Sequence, residues 1–191
     1  MRLAVLTGNP KNDGLCHSFI QAVTDGAKQA GAEIEKPDIF DFKRCKICGD
    51  GWGTCLREHY CQNGGDGFSE VHKTLALVDA FCIITPVYWG ECDEALKSFL
   101  DRLRRCDSPL VINQYGCFKN KPVLIIATAG GSGNGILSCI EQLSRFCHHM
   151  GATVFDFIGV NRWNCDYKKI AAFSAANELI KGRRPGDTIL S

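Results

Sequence analysis

Short apolar runs of strand length alternate along this chain with stretches whose apolar residues recur every three or four positions. A strand covered on both faces reads as a near-continuous apolar run, and a helix lying on a sheet shows a stripe of period 3.6. Residues 2–7 (RLAVLT), 80–88 (AFCIITPVY), 122–129 (PVLIIATA) and 153–160 are of the first kind, and 32–42 is a weaker fifth. Between them, Phe19, Ile20, Val23 and Ala27 mark a helix over 14–30 that Gly31 stops. A short helix is predicted over 68–77. Asp93 caps the next one, with Ala95, Leu96, Phe99, Leu100 and Leu103 on its buried face. Residues 136–151 and 167–181 complete the set, while 43–67 and 107–120 read as irregular. Pro86 is expected to end the pairing of the third strand. The pattern predicts a single domain over residues 1–191: a three-layer α/β sandwich on a five-stranded parallel sheet of order 2-1-3-4-5.

Composition narrows the function classes. The net charge of +1 argues against a nucleic-acid binder acting through a basic field. No apolar run approaches the roughly 20 residues of a membrane helix, and the N-terminus lacks a secretory core, so a cytoplasmic protein without a membrane partner is expected. Twelve cysteines are the anomaly. Cys82, Cys92, Cys106, Cys139 and Cys147 lie in apolar segments and read as small buried hydrophobes. Cys45, Cys48, Cys55 and Cys61 instead fall within 17 residues of a loop carrying six glycines.

In an open α/β sheet of this order, ligands bind beyond the carboxyl ends of strands one and three. The loops that meet there are the unusual ones: TGNPKNDGLC, TPVYWGEC and TAGGSGNG. The first joins a strand to a helix N-terminus, where Gly8, Asn9, Lys11 and Gly14 suit an anion such as a terminal phosphate. The second sets Tyr88 and Trp89 past a strand end, beside Pro86 and Gly90, able to flank a planar ring, unless Trp89 simply packs on the following helix. The third, with four glycines in eight residues, lets backbone approach a ligand closely.

Together these loops resemble the NADPH-dependent FMN reductase and iron–sulfur flavoprotein group of the flavodoxin-like proteins. Residues 85–103, TPVYWGECDEALKSFLDRL, look like that group's second flavin loop and following helix. TGNPKNDGLC looks like its phosphate loop, with Asn9 in a serine place, Lys11 in an arginine place and Cys16 in a hydroxyl place, Ser18 lying half a turn on. TAGG at 128–131 resembles the loop that contacts the isoalloxazine. The resemblance implies FMN held by Asn9, Lys11, Gly14, Leu15, Cys16, Pro86, Val87, Tyr88, Trp89, Gly90, Thr128, Ala129, Gly130 and Gly131. It also implies a homo-oligomer, a dimer or tetramer.

The cysteine loop departs from the group's compact C-x2-C-x2-C-x4–7-C run: its spacing is C-x2-C-x6-C-x5-C, with Gly51 in the expected third place. Cys45, Cys48, Cys55 and Cys61 are thus candidate ligands of a [4Fe–4S] cluster. A four-thiolate zinc site and an empty loop stand beside that reading, with His59 as a substitute ligand. No Ser-His-Asp triad or carboxylate pair is present, and His148 and His149 read as helix-end residues. The implied function is a flavin oxidoreductase passing electrons from NAD(P)H or a ferredoxin-like donor to a small acceptor such as a quinone, O2 or peroxide. A flavodoxin-type carrier and a cofactor-free binding protein are the alternatives.

Overall fold

The computed structural model describes residues 1–46, 48, 53–112 and 116–182. In chain order the elements are β1 (Arg2–Thr7), α1 (Gly14–Gln29), β2 (Glu33–Glu35), α2 (Cys55–Glu58), α3 (Phe68–Ala76), β3 (Ala80–Tyr88), β4 (Glu91–Cys92), α4 (Glu94–Ile112), β5 (Pro122–Thr128), α5 (Ile136–His149), β6 (Thr153–Val160) and α6 (Cys165–Ile180). Five strands run parallel in the order β2-β1-β3-β5-β6, the expected order, with one short strand added. That addition is β4, antiparallel to β3 through Val87–Cys92 and Tyr88–Glu91.

Alternation along the strands divides the core into two layers, because successive side chains of a strand point to opposite faces. Leu3, Val5, Cys82, Ile84, Leu124 and Ile126 face Phe19, Ile20, Val23, Ala172 and Ala176 of α1 and α6. Ala4, Leu6, Phe81, Ile83, Val123 and Ile125 face the other side, where α3, α4 and α5 supply Phe68, Leu75, Leu96, Phe99, Leu103, Cys139 and Leu143. Each large apolar side chain buried this way contributes about 1.5–3 kcal/mol. The helices α1 and α6 cross closely at Gly26, where a β-carbon would stand 2.2 Å from the Phe173 carbonyl oxygen. Asn177 donates to the Gly26 carbonyl at the same crossing, at 3.0 Å.

Four expectations are corrected. Pro86 does not end pairing: it stands opposite Thr128 in the parallel ladder, and the strand continues into the β4 hairpin. The second strand is only Glu33–Glu35, because its sheet-edge position needs few apolar residues. Helix α4 continues through Pro109 to Ile112 rather than giving way at 107. Its Asp107 is drawn into the core, where it receives a bond from His72 at 2.5 Å and the Cys117 N–H at 2.6 Å. Finally, the loop before α3 contains the one-turn helix α2.

Candidate functional site

The three glycine-bearing loops meet at the carboxyl edge of the sheet, and specific contacts lock them together. A β-carbon on Gly8 would stand 2.5 Å from Asp93 Oδ1, so the first loop lies directly on the N-cap of α4. Asp93 is buried and accepts the Ala95 and Leu96 amides at 2.8 and 3.3 Å, while its own amide donates to Thr85 Oγ1 at 3.0 Å. The second and third loops join where Gly90 abuts Gly135. The Cys92 amide also donates to Gln142 of α5 at 3.0 Å, and Thr128 Oγ1 donates to the Thr85 carbonyl at 3.3 Å.

In the first loop, Asn9 shapes the backbone: its side-chain amide donates to the Lys11 carbonyl, and its N–H donates to Thr7 Oγ1 at 3.1 Å. Asp13 precedes α1 in extended conformation without capping it, and the first turn carries no acidic side chain. The amides of Gly14, Leu15 and Cys16 therefore form an electropositive helix end open to an anion. A cavity of about 380 Å³ beside this loop is walled by Thr7, Asn9, Lys11, Asn12, Lys36 and Phe40. Lys36 escaped the sequence reading because it follows a strand at the sheet edge. The Cys16 thiol turns inward: burial pushes it up to about 11, partly offset by bonds with Thr128 and Thr7. It is a neutral buried group at neutral pH.

The second loop is a tight hairpin in which both central residues, Trp89 at φ 54° and Gly90 at φ 79°, take left-handed conformations. Positive φ at both positions suits the twist of a two-residue hairpin, but a tryptophan there costs about 1–2 kcal/mol. Trp89 gains no packing in return, since its side chain is fully exposed, and Tyr88 is half exposed. Trp89 does not rest on the following helix, the alternative its sequence position left open. Backbone strain of this kind clusters at functional sites. In the third loop, nothing lies within 4 Å of where a β-carbon would stand on Gly130 or Gly131, leaving that backbone open to a ligand.

Tyr88 and Trp89 also line a cleft of about 830 Å³, together with Arg44, Cys45, Asp93, Lys97 and Asp101. The cysteine loop thus opens onto the same cleft as the second glycine loop. All twelve cysteines are free thiols. Cys82, Cys92, Cys106, Cys139 and Cys147 are buried, as expected of small hydrophobes. Cys45, Cys48, Cys55 and Cys61 share one neighbourhood: burial raises the Cys45 thiol, Arg105 opposes that, and Cys55, Cys61 and Cys48 add to it. Gly53 sits among them, a β-carbon there lying 3.2 Å from Cys55 Sγ and 3.8 Å from Cys48 Sγ.

A single zinc ion with bonds of about 2.3 Å would gather its sulfurs within about 4.6 Å of one another. Among the described residues, the only trio of such donors within 4.8 Å is His72, Asp107 and Cys117, so the four loop cysteines are not gathered around one point in this structure. The His72–Asp107–Cys117 group is itself hydrogen-bonded, with both Asp107 oxygens occupied. Near the cysteines the structure places a residue that the sequence reading missed, Arg102, which is 1% exposed and donates to Cys61 Sγ at 3.2 Å. On a helix whose apolar stripe it shares, an arginine gives no local sign of its partners 36 to 59 residues away.

Comparison with known proteins bears on the family and the fold. An iron–sulfur flavoprotein of Methanosarcina thermophila is 24% identical over 186 residues, covering 95% of this chain and 92% of the relative. Among solved structures, an NAD(P)H:quinone oxidoreductase from Methanothermobacter marburgensis superposes with TM-score 0.65 at 16% identity, covering 97% of this chain and 99% of that one. A flavodoxin from the domain Archaea superposes with TM-score 0.59 at 12% identity, covering 95% and 97%. These two likenesses show a flavodoxin-like fold. No helix among the described residues is long and apolar enough to cross a membrane. Residues 1–161 match the profile of the NADPH-dependent FMN reductases, a span that holds all three glycine loops and the cysteine loop between them, and the chain belongs to that family.

Proposed function

We propose that this chain is an FMN-dependent oxidoreductase with two redox centres. FMN lies across the three loops, and Cys45, Cys48, Cys55 and Cys61 hold an iron–sulfur cluster in the loop that borders the same cleft through Cys45. One observation carries the reading: the strained Trp89, its neighbour Tyr88 and Cys45 line the same cleft. The name of the Methanosarcina relative, which the chain matches over nearly its whole length, supports the second centre. So do the N–H bond from Arg102 to Cys61 and the charge of Arg105, which lowers the Cys45 thiol, since both favour thiolates around a cluster.

Each residue has a task on this reading. The free amides of Gly14, Leu15 and Cys16, with Asn9, Lys11 and Lys36, hold the phosphate. Thr128, Ala129, Gly130 and Gly131 offer backbone to the polar edge of the ring, while Pro86, Val87 and Gly90 fix the hairpin that presents Tyr88 and Trp89 to its face. Bound FMN supplies paired or single electron transfer, and the cluster single transfer. No side chain need act as acid or base. NAD(P)H is the donor that the family implies, with a ferredoxin-like protein as its one-electron counterpart, and a quinone, O2 or peroxide is the acceptor. Assembly into a dimer or tetramer would cover the exposed Trp89.

The test is anaerobic reconstitution with FMN, iron and sulfide, followed by mixing with NADPH. The reading expects the flavin bands to bleach on mixing. It expects the variant with all four loop cysteines changed to serine to lose its iron yet keep FMN. Flavin that stays oxidised under NADPH but accepts electrons from dithionite would contradict an NAD(P)H-driven enzyme and favour a carrier.

A further inference from the structure

Arg102 stands on α4 behind the cysteine loop, and its guanidinium has five N–H donors. All five are engaged, and every acceptor belongs to that loop. Nε donates to Cys61 Sγ at 3.2 Å. One terminal nitrogen donates to the Lys43 carbonyl at 3.1 Å and to Asp66 Oδ2 at 2.5 Å. The other donates to the Asn63 carbonyl at 2.7 Å and to Asp66 Oδ1 at 3.2 Å. Phe68 lies under the guanidinium plane, 4.1 Å from Cζ to ring centroid. Asp66 completes the knot by accepting the Lys43 amide at 2.9 Å and the Phe68 amide at 3.3 Å.

The acceptors come from both ends of the loop. Lys43 lies two residues before the first cysteine, and Cys61, Asn63 and Asp66 lie at and after the last. One buried side chain therefore ties the entry of the loop to its exit. A planar, five-donor group on a rigid helix can do this, whereas an ammonium has only three donors and no fixed plane. The Arg102 and Asp66 charges cancel, so what Cys61 gains is a directed N–H bond to sulfur.

We infer that Arg102 is a positioning residue which closes the cysteine loop and fixes Cys61 before any group is bound, and whose bond to Cys61 sets the reduction potential of the cluster held there. The second half rests on the two-centre reading above; the first half does not. An N–H donor on a ligating sulfur favours the more negative, reduced state of a cluster and so raises its potential. A nearby carboxylate acts in the opposite sense. Removing Arg102's bond and removing Asp66's charge should therefore shift the potential in opposite directions, although both loosen the loop.

The experiment uses the full chain with bound FMN, as wild type, Arg102→Lys and Asp66→Asn, each first checked for a native flavin spectrum. Hydrogen exchange in metal-free protein is expected to speed up about tenfold or more over residues 43–46 and 61–68 in both variants, relative to wild type. After reconstitution, the cluster potential is expected to fall in Arg102→Lys and rise in Asp66→Asn, and chelators should strip iron from Arg102→Lys about tenfold faster. If Arg102→Lys does not fold, the Asp66→Asn arm still decides, because a potential that falls with the loosened loop would overturn the electrostatic half. Unchanged exchange in both variants would overturn the clamp, whatever the iron content. A wild-type protein that binds no iron would end the two-centre reading and the inference about potential, while faster exchange in Arg102→Lys would still uphold the clamp.

Discussion

Gly90 and Gly135 meet backbone to backbone: a β-carbon on Gly135 would stand 2.7 Å from the Gly90 Cα and 3.0 Å from its nitrogen. Both residues have positive φ, 79° and 85°. This contact holds the Trp89 hairpin against the start of α5. Replacing Gly135 with alanine adds both overpacking and left-handed strain, a cost of about 1–3 kcal/mol. The hairpin is the element that moves, so FMN affinity should fall about tenfold or more, read as a weaker quench of flavin fluorescence. Gly131→Ala, where a β-carbon meets nothing within 4 Å, should leave stability nearly unchanged.

Lys11 lies on the cavity beside the uncapped N-terminus of α1. A charge-assisted bond to a phosphate is worth about 1.5–3 kcal/mol, so Lys11→Ala should weaken FMN binding roughly tenfold or more. Riboflavin, which lacks the phosphate, should bind wild type and variant alike. Titration of the two ligands against each protein checks this.

The Arg102 bond, with help from the Lys43 and Phe68 amides and against the effect of burial, holds the Asp66 carboxyl down to about 2. The group titrates near 3.9 in an unfolded chain. Because the folded value is the lower one, this stabilisation is complete above about pH 4 and is lost as pH falls from about 4 towards 2. Thermal midpoints measured from pH 2 to 7 should drop along this limb in the wild type. Asp66→Asn should be less stable at pH 7, by about 3 kcal/mol for a broken buried pair, melt lower, and show a shallower acid limb.

Asp107 is fully buried; burial raises its carboxyl, but the His72 bond and charge and the Cys117 contacts outweigh this and keep it below the usual range. His72→Ala removes one partner of a buried pair and should cost about 1–3 kcal/mol. Urea unfolding followed by circular dichroism checks it, and FMN affinity should not change, because the group lies away from the three loops.

The layers of this fold were legible because each long strand is an apolar run and each helix a stripe, as at residues 80–88 and in Leu96, Phe99, Leu100 and Leu103. What escaped notice depended on pairing across distance. Asp107, Ser108 and Pro109 look locally like a break, yet Asp107 is held inside by His72, 35 residues earlier. Arg102 reads as the polar edge of an amphipathic helix until Asp66 and Cys61 are placed against it. The three loops could be named from their glycines, but the Gly8–Asp93 and Gly90–Gly135 contacts that assemble them are visible only in three dimensions. Lys36 carries no motif and enters by proximity alone.

On the proposed reading, the three loops bind FMN beside a cysteine-held cluster. The most direct measurement is the visible spectrum of protein purified without oxygen, incubated with FMN, iron and sulfide, and freed of excess by gel filtration. That arrangement predicts about one FMN per chain, seen as two flavin bands, over a broad absorbance that dithionite bleaches and that the four-serine variant lacks. A wild-type spectrum without flavin bands after this treatment would contradict it.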